Sequence, residues 1–121
     1  MATIELGSRN FEQTITSNDV VFVDFWASWC GPCRQFAPVY EQASVTHPDV
    51  VFGKVDTEAE AALSSGAQIT SIPTLMAFKD GTLVFSQPGA LSATALEEVI
   101  TAVRELDIDA ARSEATQTKS A

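Results

Sequence analysis

The chain has 121 residues, 45% of them hydrophobic, enough for one compact domain to bury a core without disulfide or metal staples. Sixteen acidic residues against seven basic ones leave a net charge of −9. That balance speaks against nucleic acid or an anionic membrane surface as partner, since both demand basic patches, and it serves solubility.

The N-terminus, from Met1 to Leu6, lacks the basic region and apolar stretch of a signal peptide. No apolar run approaches a membrane span, so a cytoplasmic location is expected. Thr3 to Leu6 alternates polar and apolar residues, the pattern of a short edge strand. Phe11 and Ile15 stand four apart and predict a short helix over 10–16. Val20 to Trp26 is apolar on both faces, as in a central strand covered by helices on both sides, and only Asp24 interrupts it.

From Cys33 to about Thr46, the residues Phe36, Val39, Tyr40 and Ala43 recur at helical spacing. Pro38 should kink this helix and Pro48 should stop it at His47. Val50 to Asp56 reads as another strand. Thr57 to Glu60 has capping-box spacing and Gly66 can terminate, so a short helix is expected between them. Thr74 to Lys79 and Thr82 to Ser86 flank Asp80-Gly81, a pair that tolerates positive φ and predicts a two-residue hairpin. Ser92 can cap a last helix with Leu96, Val99, Ile100 and Val103 as its apolar stripe. Strands alternating with helices, then a hairpin and a helix, imply an α/β domain over residues 1–106 with a mixed central sheet. Residues 107–121 are polar and small and read as a frayed or disordered tail.

The only two cysteines, Cys30 and Cys33, lie at the junction between the central strand and the following helix. A disulfide between them closes a loop worth only about 2 kcal/mol of chain entropy, so stability is not its purpose. In a reducing compartment such a pair is catalytic or metal-binding. A structural zinc needs four ligands, and the chain offers two thiols and the imidazole of His47, which suits a helix C-terminus better. Haem attachment needs His directly after the second Cys, where Arg34 stands. Reversible disulfide chemistry remains. At a helix N-terminus the Cys30 thiolate is favoured by free amides and the dipole. Cys33, one turn inside and expected to be more buried, would stay protonated longer. Cys30 is thus the expected nucleophile and Cys33 the resolving thiol. Asp24 is too costly to bury without purpose. Trp26 is read as core packing.

Trp29-Cys30-Gly31-Pro32-Cys33 after Val23-Asp24-Phe25-Trp26-Ala27 resembles the thioredoxin family. So do Ile72-Pro73-Thr74, Phe78-Lys79-Asp80-Gly81 and Gly89-Ala90-Leu91-Ser92, in the same order, from about residue 3 to residue 105. The resemblance implies a five-stranded sheet flanked by four helices, and protein-disulfide reductase activity. It implies no bound cofactor or metal, with electrons from NADPH reaching the Cys30–Cys33 disulfide through thioredoxin reductase. The expected partners are that reductase and disulfide-containing target proteins, for a monomeric protein. By position, Pro73 matches the family's cis-proline, and Ile72 the backbone that pairs with an extended target. Trp29, Gly31, Pro32, Ile72, Gly89 and Ala90 match its apolar docking surface. Asp24 and Lys54 match its buried carboxylate and neighbouring lysine. Ser28 and Arg34 depart from it: an acidic residue and a lysine are common there. A disulfide oxidase or isomerase, or a binding module using the same apolar face, stays open as an alternative.

Overall fold

The computed structural model describes residues 2–109. Most of the expected tail, from residue 110, lies outside the described residues. The elements run β1 (Thr3–Glu5), α1 (Phe11–Ser17), β2 (Val20–Trp26), α2 (Gly31–Thr46), β3 (Val51–Asp56), α3 (Ala61–Gly66), β4 (Thr74–Lys79), β5 (Thr82–Pro88) and α4 (Ala93–Glu105). The five strands form one mixed sheet in the order β1-β3-β2-β4-β5. β3 runs parallel to β1 and β2, while β4 runs antiparallel to β2 and β5. This is the thioredoxin fold that the resemblance implied.

Alternation along β2 sends its side chains to two cores. Val20 and Phe22 join Phe36, Tyr40, Phe52, Leu75, Leu96 and Ile100 on the face covered by α2 and α4. Val21, Val23 and Phe25 join Leu6, Ile15, Val55 and Met76 on the other face, against α1 and α3. Phe22 and Phe52 stack with centroids 5.5 Å apart, and Tyr40 meets Phe52 edge-on. The Tyr40 hydroxyl donates to the carbonyl of Gly53 at 2.8 Å, which satisfies a fully buried polar group. Gly53 has no room for a side chain, because a Cβ there would collide with Leu6.

The hairpin forms as the sequence predicts, with φ of 49° at Asp80 and 76° at Gly81. β5 runs two residues past Ser86, to Pro88, and the ladder slips between Ala77 and Phe78, leaving Val84 as a bulge. α2 starts at Gly31, ahead of the expected Cys33, and runs through Pro38. It ends at a His47 cap, whose Nε2 lies 2.8 Å from Glu97 Oε1 on α4. The capping box at Thr57 does not form. The Thr57 hydroxyl donates instead to the Trp26 carbonyl at 3.1 Å, and Asp56 Oδ1 accepts the amides of Glu58 and Ala59. The helix therefore begins at Ala61, with Glu60 at the cap position making no capping bond; its Oε1 accepts the Ser8 amide at 3.0 Å instead.

The last helix is closed at both ends. Ser92 Oγ accepts the amide of Ala95. At the other end Lys79 Nζ donates to the carbonyls of Val103, Arg104 and Leu106 at 3.1, 2.7 and 2.7 Å. The Val103 carbonyl also accepts the Leu106 amide, so the ammonium adds to the closing turn there, and a cation suits the negative end of the dipole.

Candidate functional site

Three chain segments meet at one end of the sheet. β2 delivers residues 27–30 from its C-terminal end. β4 starts beside it, with Thr74 opposite Phe25. Pro88 at the end of β5 stands opposite Thr74, and the Gly89 amide donates to the Pro73 carbonyl at 2.8 Å. Thr74 Oγ1 donates to the Ser71 carbonyl at 2.6 Å and fastens the bend before β4. Cys30, Cys33, Trp29, Gly31, Pro32, Ile72, Pro73, Gly89 and Ala90 are thereby brought to one place.

Cys30 is the N-cap of α2 and Pro32 sits in its first turn. Cys30 Sγ accepts the Cys33 amide at 3.2 Å, so a helix-terminal donor points at the sulfur. The same sulfur lies 3.8 Å from the Ile72 carbonyl. The Ile72–Pro73 bond is cis. Cys30 and Cys33 form a disulfide, with Cα atoms 5.2 Å apart. The expected difference in burial is absent: the two residues are 4% and 3% exposed. Ala27, Cys30 and Cys33 form one small cluster, on which Trp26 and Ile72 pack and which they help to cover. The asymmetry between the sulfurs lies in position on the helix. Trp29, by contrast, is 65% exposed, and Pro32, Gly89 and Ala90 are exposed too.

Asp24 lies inside, on the same face of β2 as Phe22 and Trp26 by strand alternation. It is fully buried, and among the described residues neither carboxylate oxygen has a hydrogen-bond partner. Burial pushes its pKa up to about 7, against the opposing pull of Lys54. Lys54 pairs with Asp24 in the β2–β3 register, but its ammonium sits over the Trp26 ring, 4.8 Å from the centroid. Trp26, read from sequence as core packing, is half-buried between Lys54 and the cysteine cluster. A cavity of about 130 Å³ borders Trp26, Lys54, Asp56 and Glu60. Burial also holds the Tyr40 hydroxyl well above its usual range, with Asp24 and Glu41 adding to the effect.

Sequence reasoning missed the Arg34 side chain as a tether: its Nη1 donates to the Ser28 carbonyl at 3.0 Å. No local signal marks such a bond. Among the described residues no group of three or more His, Cys, Asp or Glu could hold a metal. No helix among them is long and apolar enough to cross a membrane.

Known proteins carry the same arrangement. The family model described as thioredoxin matches residues 2–102. The chain is 55% identical over 111 residues to a putative thioredoxin 2 of Streptomyces coelicolor, covering 92% of this chain and 83% of that one. Among solved structures, a thioredoxin of Plasmodium falciparum superposes with a TM-score of 0.75 at 38% identity, covering 82% of this chain and 96% of that chain. A mutant thioredoxin of Halobacterium salinarum gives 0.80 at 33% identity, covering 87% and 93%. With its sulfurs bridged at a helix N-terminus beside an exposed tryptophan, the chain belongs to the thioredoxin family and is a protein thiol–disulfide oxidoreductase.

Proposed function

We propose that the protein works in the reducing direction, on disulfides of target proteins, with Cys30 as nucleophile and Cys33 as resolving thiol. One observation carries the assignment: Cys30 Sγ is the α2 cap, facing the Cys33 amide. That amide and the helix dipole favour charge on Cys30 once the pair is reduced. The Cys30 thiolate attacks one target sulfur, the target S–S bond breaks, and the other target sulfur leaves and takes a proton. Cys33 then loses its proton and attacks Cys30 Sγ. The second target sulfur leaves, the Cys30–Cys33 disulfide forms, and two electrons have passed to the target.

Asp24 is the proposed acceptor of the Cys33 proton, directly or through a water. A carboxyl poised near neutrality can take a proton and give it back. Lys54 limits how far burial raises it. Trp29, Gly31, Pro32, Ile72, Gly89 and Ala90 form the apolar docking surface. There the carbonyl of Ile72, ahead of cis-Pro73, is the place for an extended target segment to add as a strand. Residues 1–106 form the working domain, and residues 107–121 are dispensable for the exchange. A thioredoxin reductase drawing on NADPH restores the dithiol, and the protein acts as a cytoplasmic monomer without a bound cofactor.

Trapping in cells tests the assignment. Cys33→Ser should accumulate mixed disulfides with targets, and Cys30→Ser should not. Equal adduct yields from the two variants would overturn the assigned roles. A Cys30→Ser, Cys33→Ser double variant that kept its cellular role would point to a binding module.

A further inference from the structure

The redox face is almost free of charge. Residues 27–33, 72–73 and 88–90, which meet there, include no Asp, Glu, Lys or Arg. Arg34 follows directly, and its exposed guanidinium is tied to the Ser28 carbonyl at 3.0 Å, beside Trp29. The chain's other described cations are engaged elsewhere or lie away from this face. Lys54 covers Trp26, Lys79 holds the end of α4, Arg104 pairs with Asp49 at 2.7 Å, and Arg9 precedes α1. Arg34 makes no ion pair among the described residues. One fixed positive charge thus stands at the rim of a neutral apolar face, in a chain with a net charge of −9.

We propose that Arg34 is a specificity-determining residue for target segments that carry an acidic side chain beside the attacked cysteine. The inference rests on the reductase reading above and extends it to a class of target. The guanidinium has five N–H donors in a planar fork. With Nη1 on Ser28, the remaining donors stay available to a carboxylate, and the bond to Ser28 sets where that carboxylate must lie. The docking surface supplies apolar contact that any extended segment can use. Arg34 supplies the one charge that distinguishes between segments. Elsewhere the acidic surface repels such segments at long range, so the attraction acts only at close approach, as salt dependence will show.

The test uses three disulfide-linked peptides that differ only two residues from the attacked cysteine, with Glu, Gln or Lys there. Reduction by the full-length protein is followed to obtain kcat and KM at low salt and at about 0.5 M salt. The readout is the Glu-to-Lys ratio of kcat/KM. Arg34→Gln should lower this ratio about threefold, the size of an exposed ion pair. Arg34→Glu should lower it about tenfold, since repulsion replaces attraction. The change should lie in KM and fade at high salt, and Arg34→Lys should keep most of the parent ratio. A merely structural Arg34 would slow all three peptides alike. An unchanged ratio in Arg34→Glu overturns the proposal. Failure of the parent to reduce even the Gln peptide would instead overturn the reductase reading.

Discussion

Lys79, at the end of β4, gives its ammonium to three carbonyl oxygens at the C-terminus of α4. Asp24, in the middle of the neighbouring strand β2, keeps two carboxylate oxygens with no hydrogen-bond partner among the described residues. Both charges sit on paired strands of one sheet, and the fold treats them in opposite ways. The partnered lysine joins the hairpin to the last helix. The unpartnered aspartate destabilises its own ionised form, and its pKa is displaced to about 7. The charge with a structural task is satisfied, whereas the one proposed above for proton transfer is left short of partners.

Replacing Asp24 is the strongest way to sharpen that contrast. The folded pKa lies above the unfolded one, so the folded state holds the proton longer. Asp24 therefore costs nothing below about pH 4 and costs more as pH rises, until it ionises in the fold near pH 7. Asp24→Asn should be more stable than the parent at pH 8 by about 2 kcal/mol: roughly 4 from the displaced titration less about 2 for burying an unpaired amide. At pH 5 most of the gain should vanish. The variant should also release targets from mixed disulfides about a hundredfold more slowly, the lower range for a general base. Urea unfolding at the two pH values, with single-turnover release, checks both. A variant that gains no stability between pH 5 and pH 8 and releases targets at the parent rate would make Asp24 an ordinary buried group.

Lys79→Met should behave in the opposite way. Losing the acceptors' partner should cost about 1.5 kcal/mol, equally at pH 5 and pH 8. A loss that varied with pH across that range would break the contrast. Lys54→Met should do less to stability, about 0.5 kcal/mol for the contact with Trp26. It should still raise the Asp24 pKa, because Lys54 opposes the burial effect. Carboxyl titration by NMR would show it, and an unmoved Asp24 would rule out the coupling. Truncation after Asp107 should have the smallest effect, under about 0.5 kcal/mol, because the Lys79 clamp closes at Leu106. A loss several times larger in urea unfolding would place stabilising contacts beyond that point.

These sites differ in how far the sequence alone reveals them. Asp24 is visible because a carboxylate inside Val20–Trp26 breaks an apolar run that no solvated strand would need. The hairpin is visible because Asp80-Gly81 carries its own backbone geometry. The cysteine pair is visible because its chemistry depends on local spacing. The Lys79 clamp is not, since its acceptors lie 24 to 27 residues away and exist only once α4 has docked. Thr57 misleads for the same reason. Its spacing to Glu60 fits a capping box, but the Trp26 carbonyl takes its hydroxyl once β2 and β3 pair. The similar burial of Cys30 and Cys33 depends on cover from Ile72, 42 residues on from Cys30.

The borders of the sheet carry one more consequence. β1 offers three residues to a newcomer, and β5 is broken by the bulge at Val84 and closed by Pro88, which has no amide to give. Neither border is a long flat template on which a second chain could grow as cross-β stacking. The sheet is thereby shielded at both borders from growing into a mixed sheet with other chains. Under the function proposed above, strand-like pairing with a target is left to the short stretch before cis-Pro73, beside Cys30.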